Sequence, residues 1–181
     1  MARNMPNTHG GGAETNVTGL TYERQVDLAI YLQRHGFSVT GNDVCLNGIT
    51  IANLFTKNEL YSVFLAQRYP QIDKRTIWSK GLFPDKALVV GNNLYIIEIK
   101  NQNREGSVDE KLQTCDFKKK QYQRLFHGTA IIVHYFYILN EWFRRAKYRD
   151  VLSYIEEVGC RYFFDEIPLD EFGLQSGVAI H

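Results

Sequence analysis

Apolar residues recur along this chain in two periods, and the switches between them lay out its elements. Tyr22, Val26, Ala29 and Ile30 follow at three- and four-residue spacing, Leu28 and Leu32 widen the stripe, and Gly36 closes it, which predicts an amphipathic helix over 21–35. The stretches 37–46 and 49–54 flank Asn47-Gly48, a dipeptide whose tolerance of positive φ suits a two-residue hairpin. Thr56-Lys57-Asn58-Glu59 has the form of a capping box and opens a helix through Leu60, Phe64 and Leu65 that Tyr69-Pro70 stops. Residues 72–83 are expected to lead a strand into a second, central hairpin, in which 87–90 and 94–99 flank Gly91-Asn92-Asn93. A long helix is expected over 108–126, with Val108, Leu112, Cys115, Tyr122 and Leu125 on its apolar face. The nearly unbroken apolar run 129–139 reads as an interior strand, followed by a helix over 140–157 and a short strand at 160–164.

This order gives an α/β fold, a mixed central β-sheet flanked by α-helices, in which the strand at 129–139 returns parallel to the strand of Glu98 through the helix between them. At 181 residues the chain fits one domain over 19–181, and the Gly-, Asn- and Thr-rich residues 1–18 read as a flexible arm. An apolar share of 44% with 13% aromatics is ordinary for a globular protein. The absence of a ~20-residue apolar run and of a signal-peptide core points to a cytoplasmic location. Three cysteines without CxxC spacing read as reduced thiols, and the five histidines show no paired-ligand pattern. With 21 basic and 20 acidic residues the chain is not globally basic, so any contact with nucleic acid depends on a local cationic cleft.

The central hairpin gathers the candidate chemistry. Asp85 stands just before its first strand, and alternation along the second puts Glu98 and Lys100 on one face with Ile97 and Ile99 on the other. Two carboxylates about 4 Å apart repel by roughly 4 kcal/mol at an effective dielectric of about 20. A hard divalent cation removes that penalty, and oxygen ligands of this type suit Mg²⁺, which completes its shell with water and substrate phosphate. A lysine alongside can orient a water or stabilise charge on phosphorus, so the set suits metal-assisted phosphodiester hydrolysis. The alternative is an edge strand whose Glu98 and Lys100 are solvated, with Asp85 capping a turn after Pro84.

Pro84-Asp85, twelve intervening residues, then Glu98-Ile99-Lys100 resembles the PD-(D/E)XK nuclease signature, the active site of many type II restriction endonucleases. Asn101-Gln102 and the stretch Gly106-Ser107-Val108-Asp109-Glu110-Lys111-Leu112-Gln113 are similar to the segment after the lysine in several restriction-type members. The resemblance implies a restriction-endonuclease-like core, Asp85 and Glu98 as Mg²⁺ ligands with Mn²⁺ able to substitute, Lys100 as the catalytic lysine, and Glu23 as a further acidic ligand from the first helix. It implies a homodimer acting on double-stranded DNA and leaving 5′-phosphate ends. A junction-resolving, repair or phage nuclease of the same fold, or a non-catalytic DNA-binding module, are the alternatives. Gln102, Lys111 and Gln113 are candidates to approach the scissile phosphate. Lys118 and Lys119 on the same helix, and Arg144 and Arg145 on the next, are candidate phosphate contacts or solvated surface.

Overall fold

The strands of this chain pair in the order in which they are made. The computed structural model describes residues 22–105 and 108–176, so the arm expected over 1–18 lies outside the described residues. β1 (Ser38–Thr40), β2 (Asp43–Leu46), β3 (Ile49–Thr56), β4 (Lys86–Val90) and β5 (Asn93–Lys100) form an antiparallel meander, and β6 (Ile132–Leu139) and β7 (Arg161–Phe164) extend it in parallel, giving one seven-stranded mixed sheet among the described residues. Asn47 and Gly48 both adopt positive φ, 52° and 79°, which lets two residues turn β2 into β3. Gly91, at φ 59°, does the same between β4 and β5.

Side chains alternating along β4 to β6 divide between two cores. On one face Ala87, Val89, Leu94, Ile96, Tyr135 and Tyr137 pack under the helices α5 (Cys115–Leu125) and α6 (Arg149–Glu157), which bring Tyr122, Leu125, Leu152 and Ile155. On the other, Leu88, Tyr95, Ile97, Phe136 and Ile138 pack against Leu28 and Leu32 of α1 (Leu28–Arg34) and against Phe172. The sheet is therefore flanked by helices, and β6 is buried on both faces, as its apolar run requires. No helix among the described residues is long and apolar enough to cross a membrane.

Local polar chemistry moves several boundaries. The expected helix over 21–35 is a turn at 22–25 followed by α1, because Asp27 stays extended at φ −62° and ψ 117° and its carboxylate accepts from Ala29 N at 2.9 Å and Ile30 N at 3.3 Å. The capping box is half made: Glu59 accepts from Thr56 N at 2.8 Å, and a π-helix (Leu60–Leu65) follows, running into α2 (Ala66–Arg68). Residues 72–83 form no strand; Asp73 caps the short helix α3 (Lys74–Ile77) instead. The expected helix over 108–126 divides into α4 (Val108–Leu112) and α5, where the Lys111 carbonyl that would continue it accepts from the Thr114 hydroxyl at 2.7 Å and the buried Tyr137 hydroxyl lies 3.2 Å away. The expected helix over 140–157 begins as two 3₁₀ turns parted by Arg145, extended at ψ 144°, before α6.

Asp27 also ties α1 to the sheet, since its second oxygen meets Lys86 Nζ on β4 at 2.8 Å. Burial opposes the charge on Asp27, but Lys86 and the two capped amides outweigh it and hold the carboxyl below its ordinary range. Asp27→Ala removes cap and counterion together and is expected to cost about 2–3 kcal/mol, whereas Asp27→Asn keeps the cap and costs about 1 kcal/mol. A depressed folded pKa contributes stability above the unfolded value and loses it as pH falls through the folded one. The advantage of the native protein over Asp27→Asn is therefore complete above about pH 4 and fades below it. Urea unfolding at pH 7 and pH 3 measures both effects, and equal midpoints at pH 7 would contradict them.

Candidate active site

Register brings Asp85 to Glu98. Lys86 pairs with Ile97 across the β4–β5 ladder, so the residue before β4 arrives beside Glu98, on the face that also carries Ala87 and Val89. Asp85 Oδ2 accepts from Ile99 N at 2.8 Å and from Lys100 Nζ at 3.3 Å. Lys100 Nζ also donates to Glu98 Oε2 at 2.7 Å and to the Ile99 carbonyl at 3.1 Å. Two carboxylates with twelve residues between them in sequence thus share one ammonium group.

A second ammonium closes the cluster. Lys118, on α5, donates to Glu98 Oε1 at 3.2 Å, so each oxygen of a carboxylate only 7% exposed has its own cation. Burial would raise the Glu98 pKa, but Lys100 and Lys118 outweigh it and hold the group below its ordinary value. Burial likewise works against the charge on Lys100, and Glu98 and Asp85 reverse the sign and hold it above the usual lysine range. Behind the cluster lies a layer of buried phenols. Tyr61 donates to the Leu82 carbonyl and lies 3.5 Å from the Tyr122 hydroxyl, and burial raises the pKa of both. They stay protonated, as neutral donors beside the charged groups.

Asp85 Oδ2, Glu98 Oε2 and the Ile99 carbonyl all lie within 3.3 Å of one nitrogen, so three hard oxygens converge on a single cation. That donor set fits Mg²⁺, which takes one or two carboxylates from protein and fills the rest of its octahedron with water and phosphate. Among the described residues no group of three His, Cys, Asp or Glu side chains assembles to hold a metal, so an ion placed here would meet two carboxylates and a carbonyl. Glu23 stands on the helical turn at 22–25 with its side chain half-buried.

The other sequence candidates separate. Gln102 has its side chain buried with neither amide atom paired, while its backbone exchanges hydrogen bonds with the Asn140 side chain at 3.2 and 2.9 Å. Lys111 is exposed, and Gln113 borders a cleft with Asp150, Val151 and Tyr154 of α6. Lys119 turns to the Gly159 carbonyl at 2.6 Å, at the entrance to β7. Arg144 lies over Phe164 and pairs with Glu141, and Arg145 covers the Trp142 ring with Glu105 at 3.9 Å. The contact of Lys118 with Glu98 went unforeseen, although Lys118 stands three residues after Cys115 and four before Tyr122, within the buried stripe of α5.

Glu98→Ala leaves two ammonium groups facing each other without their shared counterion. The expected cost is about 3 kcal/mol, a melting temperature lower by roughly 10 °C. Added Mg²⁺ should raise the melting temperature of the native protein by mass action and leave that of Glu98→Ala unmoved, as read in a thermal-shift titration. Comparison with protein-family models, with curated proteins and with solved structures finds no match to this chain.

Proposed function

We propose that this protein is a Mg²⁺-dependent DNA endonuclease of the PD-(D/E)XK kind, with a restriction-endonuclease-like core. In this reading it hydrolyses phosphodiester bonds of double-stranded DNA as a site-specific type II enzyme, leaves 5′-phosphate ends and works as a homodimer. The observation that carries the reading is the convergence of Asp85, Glu98 and the Ile99 carbonyl on the ammonium of Lys100. An antiparallel β4–β5 hairpin followed by a parallel β6 supports it as the scaffold.

Asp85, Glu98 and the Ile99 carbonyl would hold Mg²⁺, which supplies Lewis acidity toward a phosphate oxygen and lowers the pKa of a bound water. The amide of Ile99 fixes Asp85 through the same Oδ2 that meets Lys100, and Lys118 occupies the far oxygen of Glu98, which leaves Oε2 to the ion. Lys100, displaced from the carboxylates as phosphate arrives, orients the attacking water and stabilises charge on the phosphoryl oxygens. Water attacks phosphorus in line with the 3′ oxygen, which departs as the hydroxyl while phosphate remains on the 5′ end.

Plasmid DNA incubated with the protein and Mg²⁺ should give discrete fragments with 5′-phosphate ends, and a chelator should abolish cutting. Glu98→Ala and Lys100→Ala are each expected to slow cleavage about 10³-fold or more, the loss of several kcal/mol of transition-state stabilisation. Undiminished cutting by either variant would refute the mechanism, and cutting confined to branched or single-stranded DNA would refute the type II assignment. Sedimentation with DNA should give twice the 21.0 kDa chain mass as the protein component.

A further inference from the structure

Phe83 and Phe117 are 52% and 61% exposed, and both adjoin the cluster in sequence. Phe83 precedes Pro84-Asp85, and Phe117 precedes Lys118 on α5. The Phe83 ring meets Tyr61 edge-on at 5.6 Å, with Lys74 Nζ 5.3 Å from its centre. One turn beyond Phe117, the Gln121 carbonyl receives the Trp78 indole at 3.1 Å, so the start of the segment that leads to Phe83 and Asp85 lies against the flank of α5 that Phe117 shares. Past this point α3 and α5 border a wide, open groove lined by Thr76, Ile77, Lys120, Gln123, Arg124 and His127. Lys120 keeps an ion pair with Asp116 at 2.7 Å while its side chain stays 66% exposed, and Arg124 and His127 are exposed.

Two phenyl rings left in solvent beside a phosphate-directed site, continued by a groove with cations on its wall, match one ligand chemistry. Cations follow a phosphodiester backbone, and aromatic faces take up bases that are not stacked on one another. In an intact duplex the base faces are covered by their neighbours, so the rings find partners only where the strand is open. We propose that the face formed by Phe83, Phe117 and the α3–α5 groove carries an unpaired stretch of the DNA strand that continues from the scissile phosphate. The inference rests on the nuclease reading and narrows its substrate to duplex DNA whose strand opens beside the cut on binding.

Binding measured in EDTA tests this without cleavage. The probes are a fully paired duplex and the same duplex with an unpaired five-nucleotide stretch carrying 2-aminopurine, followed by anisotropy and by base fluorescence. The native protein should bind the open probe about tenfold more tightly and quench its fluorescence. Phe83→Ala and Phe117→Ala should each weaken that binding about fivefold or more and reduce the quenching, with little change on the paired duplex. Phe83→Leu and Phe117→Leu, which keep an apolar side chain without the ring, should show the same loss. Lys120→Ala and Arg124→Ala should lower the salt dependence of open-strand binding. Equal affinities of the native and phenylalanine variants for the open probe, or no binding of it at all, would overturn the inference. Mg²⁺-dependent cutting with no dependence on the two rings would overturn it while sparing the nuclease reading. Ring-dependent binding without any cutting would sustain the strand track and reject the nuclease.

Discussion

A carboxylate in the interior of a sheet stays ionised only if cations reach it, and Glu98 is reached by two. Lys100 comes from its own strand and Lys118 from a helix laid over the sheet, so the charge state of the site depends on the placement of α5. That placement is set by apolar contacts elsewhere. Cys115, Tyr122 and Leu125 seat the helix in the core, and the Thr114 and Tyr137 hydroxyls meet the Lys111 carbonyl where α4 ends and α5 starts afresh. Packing thus decides an electrostatic outcome several residues away. With Asp85, the cluster holds two acidic and two basic side chains and sums to no net charge.

The two faces of the sheet have different duties. The face under α1 is held by aliphatic and aromatic contacts and pinned at its rim by the Asp27–Lys86 pair. The opposite face mixes apolar packing with the buried tyrosines and ends in the charged cluster. Both charged sites sit at one hairpin: Lys86 at the start of β4 points to one face, and Asp85, one residue earlier, points to the other. The alternation of a strand suffices to keep two ion pairs apart, on opposite faces of the sheet, across a single peptide bond.

Much of this was legible in the sequence where one residue determines the geometry. Asn47-Gly48 and Gly91 set their turns because positive φ is open to few residues, and the apolar run of β6 has no stable place except inside a sheet. The grouping of Asp85, Glu98 and Lys100 followed from strand alternation plus the turn at Gly91-Asn92-Asn93, of which the structure draws Asn93 into β5. What was hidden depends on partners remote in the chain. Asp27 breaks a helical pattern because Lys86 and two amides offer it more than an added helical turn would. Residues 74–77 coil because Asp73 caps them, against the β-branched Thr76-Ile77 that suggested a strand. The division between α4 and α5 combines the local Thr114 hydroxyl with a second hydroxyl that arrives from β6, and no window of local sequence contains the second. Lys118 was legible as a cation, but its partner became visible only when the helix was laid on the sheet.

The neutrality of the cluster bears on the order of events in the life of the molecule. In proteins whose acidic or thiolate ligands have no internal counterion, the polypeptide waits for its metal before it can become ordered. Here Lys100 and Lys118 already balance Asp85 and Glu98, so the charges of this cluster cancel within the polypeptide itself. A divalent cation reaching these oxygens would first have to evict an amine already in residence.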